Sequence, residues 1–232
     1  MTWFFILCSI GLISLIIYWQ LIIAEGTYLG ARVVAFTYDW VAERYNSIKE
    51  FEPEIEDMAI GEPLMNILAQ QPRALVLDVA TGTGRVPLTL LRQADFEGRV
   101  VGLDRARRML AVARRDTDRD RVYLLQADAM ALPFADNTFP VVTCLEAMEF
   151  MPSPHHGLQE MVRVLAPATA THPERGWLIT SRRVGWEAWL MPGKTWSHEQ
   201  LHELLEQLSL RYISIQPWET IYDLVMAQKV NE

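Results

Sequence analysis

The sequence predicts an α/β protein: a mostly parallel sheet with helices on both faces, tethered by one N-terminal transmembrane helix. Three observations predict it. Residues 74–92 read as a short apolar strand, a glycine turn and a helix. Short apolar runs then alternate with helical stretches down the chain, the pattern of βα units. Thr2 to Ala24 contain no charged residue.

That first run is long enough to cross roughly 30 Å of hydrocarbon at about 1.5 Å per residue. Trp3 stands at one end and Tyr18 and Trp19 near the other, where interfacial anchors belong. A signal peptide would carry a basic start and a shorter apolar stretch, and Ile22-Ile23-Ala24 makes a poor cleavage site. A core helix of this length with no polar face is rare. Residues 1–25 are therefore expected to be a retained anchor, with residues 2–24 in the bilayer. Arg32, Arg44 and Lys49 follow it, which places the rest of the chain in the cytoplasm. Residues 26–70 are expected to hold a linker and N-terminal helices. Gly26 to Phe36 is a mildly apolar linker to which no conformation is assigned. Thr37 to Ile48 has helical spacing, Glu50 to Glu56 reads as an acidic turn around Pro53, and Met58 to Gln70 reads as a helix stopped by Pro72.

Residues 71–232 form the main domain. Ala74 to Val79 suits a buried parallel strand carrying Asp78 near its end. Thr81-Gly82-Thr83-Gly84 follows, and its glycines let the backbone turn sharply and approach a ligand. Arg85 to Arg92 is the next helix, with Pro87 tolerated in its first turn. A dinucleotide fold would want a third glycine where Pro87 stands, and a P-loop would want Lys and Ser or Thr where Arg85 and Val86 stand. The Asp78 carboxylate would repel a pyrophosphate and attract a cationic amino group. S-adenosylmethionine carries both an ammonium and a sulfonium. Arg99 to Asp104 is the second strand, and Asp104, about 20 residues past Gly84, is placed to accept from a ribose diol.

Asp78-Val-Ala-Thr-Gly-Thr-Gly84 resembles the first motif of class I S-adenosylmethionine-dependent methyltransferases. Ala80, where glycine is commoner, resembles the ubiquinone/menaquinone C-methyltransferase branch. The likeness runs from about Tyr38 to Lys229. It implies a Rossmann-like seven-stranded sheet of order 3-2-1-4-5-7-6 and S-adenosylmethionine as cofactor. It also implies a cofactor-binding set: Asp78, Ala80, Thr81, Gly82 and Gly84 at the turn, Asp104 and Arg105 at the ribose, Asp128 and Ala129 at the adenine, Leu145 beside the fourth strand, and Tyr45 from a closing segment. An ordinary packed aromatic is the competing account of Tyr45.

Ala106 to Arg115 is the third strand's preceding helix, on whose arginine-rich flank we expect a solvated face with internal ion pairs. Arg121 to Gln126 and Pro140 to Leu145 are the next two strands. Glu146 and Glu149 follow on one helical turn at the sheet's carboxyl edge. Both are candidate catalytic acids, with capping as the alternative. The resemblance to the Glu-x-x-Glu-His of some metal-assisted methyltransferases fails at Phe150, so no metal is expected. His155 and His156 read as loop residues, His155 a further candidate base. Leu158 to Leu165 is a helix and Gly176 to Ser181 a strand. Arg182, Arg183, Trp186, Trp189 and Met191 then lie where this fold builds a substrate pocket, unless the tryptophans merely pack. His198-Glu-Gln-Leu-His202 matches a zinc-protease signature. Its context opposes that reading, because Ser197 caps a helix whose leucine stripe runs to Leu208. Arg211 to Gln216 and Tyr222 to Lys229 close the sheet.

The net charge of −8 argues against nucleic acid as a partner. Cys8 and Cys144 sit in different contexts and suggest no disulfide. The function expected is methyl transfer from S-adenosylmethionine to a small or lipid-like, membrane-associated acceptor, a quinone or a phospholipid headgroup among them. The rival is a methyltransferase-like assembly factor that binds cofactor without turnover.

Overall fold

A computed structural model describes residues 2–231. Helix α1, Thr2–Tyr18, runs into a π-helical turn, Trp19–Ile23, and its apolar side chains stand exposed. Trp3–Ile23 is apolar and long enough to cross a membrane. The foot of this helix is fixed to the rest of the chain. Trp19 stacks on Tyr28 at 5.1 Å, and its indole N–H donates to the Leu190 carbonyl at 3.0 Å.

Helix α2, Ala31–Val41, comes next, and α3, Tyr45–Lys49, follows after a single 3-10 turn. The expected start at Thr37 is therefore six residues late. The acidic turn at Glu50–Glu56 is also revised. Pro53 opens α4, Pro53–Glu56, with its fixed φ and missing N–H suited to a first turn. A π-helical turn joins α4 to α5, Glu62–Leu68.

The strands are β1 Leu75–Val79, β2 Arg99–Asp104, β3 Val122–Gln126, β4 Val141–Cys144, β5 Trp177–Arg183, β6 Leu210–Glu219 and β7 Tyr222–Lys229. They form one sheet of order β3-β2-β1-β4-β5-β7-β6. The β1, β2, β3, β4 and β5 pairings are parallel, and β7 is antiparallel to both β5 and β6. Central β4 is buried at every residue, as a strand covered on both faces must be, whereas edge strand β3 is largely open.

Helices α6 Arg85–Arg92, α7 Arg107–Asp116, α8 Pro154–Val164, α9 Gly185–Trp189 and α10 His198–Gln207 complete the fold. One core layer joins Leu77, Val142 and Leu178 to Leu158 and Met161 of α8 and Leu201 and Leu205 of α10. The opposite layer joins Val76, Val100 and Val141 to Leu64 and Leu68 of α5 and Leu90 of α6. Alternate residues of β1 thus serve opposite layers. Helix α8 starts at Pro154 because the Ser153 hydroxyl accepts from the His156 N–H, so His155 and His156 are helical.

Candidate functional site

The site forms where β1, β2 and β4 end on the same edge of the sheet. The chain leaves β1 through Ala80 at φ +58 and Gly82 at φ +56, and reaches α6 through Gly84 at φ +90. Those left-handed values explain the glycines and make Ala80 a strained exception. The turn is held by Thr81 N–H donating to the Leu103 carbonyl at 2.9 Å and by Gly82 N–H donating to Asp104 Oδ2 at 2.9 Å. Asp104 Oδ1 accepts from the Ala106 N–H at 2.7 Å. One carboxylate therefore ties the first βα turn to the second.

Asp78 is buried and accepts from the Thr143 hydroxyl at 2.6 Å. Burial pushes its carboxyl up to about 6, against the pull of that hydrogen bond. Arg105 pairs with Asp128 at 2.6 Å across the outer rim, and Asp128 Oδ1 also accepts from the Met130 N–H at 3.0 Å.

Between these groups and α2 lies a cleft of about 820 Å³, its open mouth included. Gly82, Asp104, Asp128 and Ala129 line one part of it; Met130, Phe150, Met151 and Pro152 line another. Helix α2 supplies a wall from Ala31, Val34, Ala35 and Tyr38. Tyr45, Ala80, Arg105, Leu145 and Glu146 also face this cleft, and an adjoining recess is bounded by Asp78, Thr81, Thr83 and Arg85. The cleft thus gathers residues expected at the ribose, adenine and turn. A Cβ added at Gly82 would meet nothing within 4 Å, so the cleft there is a cradle that glycine leaves open.

Glu146 stands at φ +51 just past β4. It pairs with Lys49 at 2.8 Å and with Arg85. Burial would raise its carboxyl, but the charges of Lys49 and Arg85 outweigh burial and hold it below the usual carboxylate range. Arg85 also binds Glu56 at 2.5 Å and Glu219 at 2.7 Å, with its guanidinium 4.5 Å from the Phe51 ring centroid. Glu149 turns away from the cleft. It is buried, accepts from the Tyr222 hydroxyl at 2.5 Å, and lies 3.5 Å from Arg183. Burial raises it, partly offset by the tyrosine. His155 is exposed in the first turn of α8. Arg182 pairs with Asp223 and Arg183 with Glu187, while Trp186 and Trp189 are exposed outside the cleft. Of the HExxH residues, His202 lies 3.8 Å from Glu206 on α10. Glu219, the residue that could be proposed as a third zinc ligand, is held by Arg85.

Sequence reasoning missed the α2 wall and the Arg85 cluster. Ala31, Val34, Ala35 and Tyr38 do recur at helical spacing, and that signal could have found the wall. The Arg85 cluster joins residues far apart in sequence and left no local trace.

Residues 76–168 match the family profile described as Methyltransferase domain. Demethylmenaquinone methyltransferase of Bacillus cereus (strain B4264) is 34% identical over 136 residues, 56% of either chain. Demethylmenaquinone methyltransferase of Desulfitobacterium hafniense (strain Y51) is 28% identical over 189 residues, 75% of either chain. The match with the Bacillus relative thus spans little more than half the length of either protein. Among solved structures, the [4+2]-cyclase SpnF superposes with a TM-score of 0.67 at 19% identity, covering 86% of this chain and 96% of the other. Residues 76–168 thus carry the Methyltransferase domain profile, on a sheet whose order and glycine turn are those of the class I S-adenosylmethionine-dependent methyltransferase fold. S-adenosylmethionine is the cofactor of that class, and the residues lining the cleft fit it. The cyclase neighbour shows that this fold also hosts other reactions, so the reaction must be argued from the site.

Proposed function

We propose that this chain transfers a methyl group from S-adenosylmethionine to an apolar small-molecule acceptor residing in the membrane, with a quinone ring as the leading candidate. One observation carries the reading. A single cleft has a polar part built by Gly82, Asp104 and Asp128 and an apolar part built by Met130, Phe150 and Met151. When bound, the cofactor supplies an electrophilic methyl group. Asp104 would hold the ribose, Asp128 and the Ala129 backbone would read the adenine, and Asp78 would favour the cationic methionine end through the turn. Tyr45 and the α2 wall would exclude water. Alignment of the two reactants supplies most of the acceleration, because effective molarities in well-oriented pairs reach about 10⁵–10⁸ M. Glu146 is ionised but clamped by two cations, which suits a group that positions rather than one that collects a proton.

Two further observations support the acceptor class. The apolar span Trp3–Ile23 would hold the domain at the bilayer and raise the local concentration of membrane-resident acceptors. Relatives matched over part of their length are named demethylmenaquinone methyltransferases. The test is incubation with methyl-labelled cofactor and separated membrane and soluble extracts. Label is expected in the organic-soluble fraction. Label confined to water-soluble small molecules would overturn the acceptor assignment, and tight cofactor binding without label anywhere would favour the assembly-factor reading.

A further inference from the structure

Helix α2 presents two faces of opposite purpose. Its inner face, Ala31, Val34, Ala35 and Tyr38, walls the cleft. Its outer face carries Arg32, Phe36 and Trp40 at successive i, i+4 positions, all exposed. Phe36 is 73% and Trp40 67% exposed, values unusual for large aromatics on a folded surface. Two large aromatics of α2, Phe36 and Trp40, thus point outward, where a helix that buries its whole apolar stripe in a core would turn them inward.

What covers this face is indicated by its neighbours. The apolar span Trp3–Ile23 ends just before it, and Trp19 and Tyr28 lock the foot of that span to Leu190 and Pro192. Immediately before Leu190, α9 displays Trp186 and Trp189, the latter 82% exposed. Aromatic side chains are therefore exposed on two elements adjoining the foot of a membrane-length helix. Tryptophan and phenylalanine with an arginine at the polar margin suit the headgroup boundary of a bilayer.

We infer that α2 is an interfacial helix, lying on the bilayer with Phe36 and Trp40 inserted at the headgroup level and Arg32 among the phosphates. The inference rests on the reading of Trp3–Ile23 as an anchor, and it deepens the acceptor assignment. An interfacial α2 puts the cleft one helix diameter, about 10–12 Å, from the headgroups. An acceptor with a reactive head and an apolar tail would then keep its tail in lipid while its head reaches the cleft.

The test uses the full chain with Cys8→Ser, reconstituted in phosphatidylcholine vesicles, and one environment-sensitive fluorophore per variant. Cys144 is buried and does not compete for the label. Labels go to Phe36→Cys and Trp40→Cys, to Leu12→Cys within the span, and to Gln207→Cys on exposed α10. The expected result is blue-shifted emission at 36 and 40, quenched by spin labels on lipid headgroups and not by a water-soluble quencher, with the opposite at 207. Position 12 reports the anchor separately. Lipid burial at 12 with water-exposed 36 and 40 overturns the interfacial helix alone; water exposure at 12 overturns the anchor and the interfacial helix together. Shielding at 36 and 40 without lipid quenching means a protein partner and also overturns it. Cofactor binding by calorimetry on the same samples reports the cleft independently, so failure of the methyltransferase reading is seen apart from either.

Discussion

Ala80 occupies a left-handed conformation that costs an L-residue roughly 1–2 kcal/mol, and glycine would escape that cost. Glycine adds about 0.4–1 kcal/mol of unfolded-chain entropy in return. Ala80→Gly should therefore stabilise the protein slightly, by about 0.5–1 kcal/mol, read as a higher unfolding midpoint in detergent. Unchanged or lower stability would mean that the Ala80 methyl makes a compensating contact. Asp78 gives a pH prediction. Its folded carboxyl is raised to about 6 by burial, above the ordinary 3.8. Its contribution to stability is thus present below the ordinary value and lost as pH rises through about 6. Binding of a cationic ligand runs the other way, because it needs the ionised form. Affinity for S-adenosylmethionine should be flat above pH about 6 and fall by up to about tenfold per unit below it. Calorimetry across that range checks this, and Asp78→Asn should flatten the profile.

At the scale of elements, the segment before β1 closes the cleft by docking on α7. Tyr38, Val41 and Tyr45 pack against Ala106, Met109 and Val112, and Asp39 Oδ1 accepts from the Arg108 N–H at 2.6 Å, capping α7 from another helix. Thr83 adds a tie, its hydroxyl donating to Asn46 Oδ1 at 2.6 Å. Asp39→Ala should cost about 1 kcal/mol, the usual worth of an N-terminal cap. Amide exchange should quicken across residues 31–41 while β1 stays protected; uniform quickening would show that α2 is no separate unit. This segment is also where sequence reading fell short. The parallel strands were legible within a residue or two because burial on both faces leaves continuous apolar runs, as in VVGLD of β2. The turn was legible because its glycines and acids are local. In α2 Phe36 and Trp40 face outward, so a pattern that assumes every large apolar residue faces a core misplaces the helix. The start of α8 depended on recognising Ser153 as a cap before Pro154. The Arg85 cluster depended on Glu219, more than a hundred residues away, which no local pattern reports.

For the whole molecule, the proposal that Trp3–Ile23 is an anchor carries a prediction about the side of the membrane that holds the domain. The chain after the span carries Arg32, Arg44 and Lys49 before the sheet begins, and basic residues near a span settle on the cytoplasmic side. Acidic residues in the same stretch, such as Glu25 and Glu43, count little in that rule. The structure adds a mechanical reason for orientation to matter. Trp19 and Tyr28 fasten the foot of α1 to the loop after α9, so an anchor in α1 would keep the cleft close to the membrane face on which the domain folds. Only one leaflet would then present acceptors to it. S-adenosylmethionine is a cytosolic metabolite, so a domain on the opposite side would lack its methyl donor. A fluorescent protein that matures only in the cytoplasm, fused after Glu232, should therefore glow, while a reporter active only outside should be silent. The reverse pair of signals would put the domain on the outer face, and S-adenosylmethionine would then be excluded as its physiological donor whatever the purified protein binds.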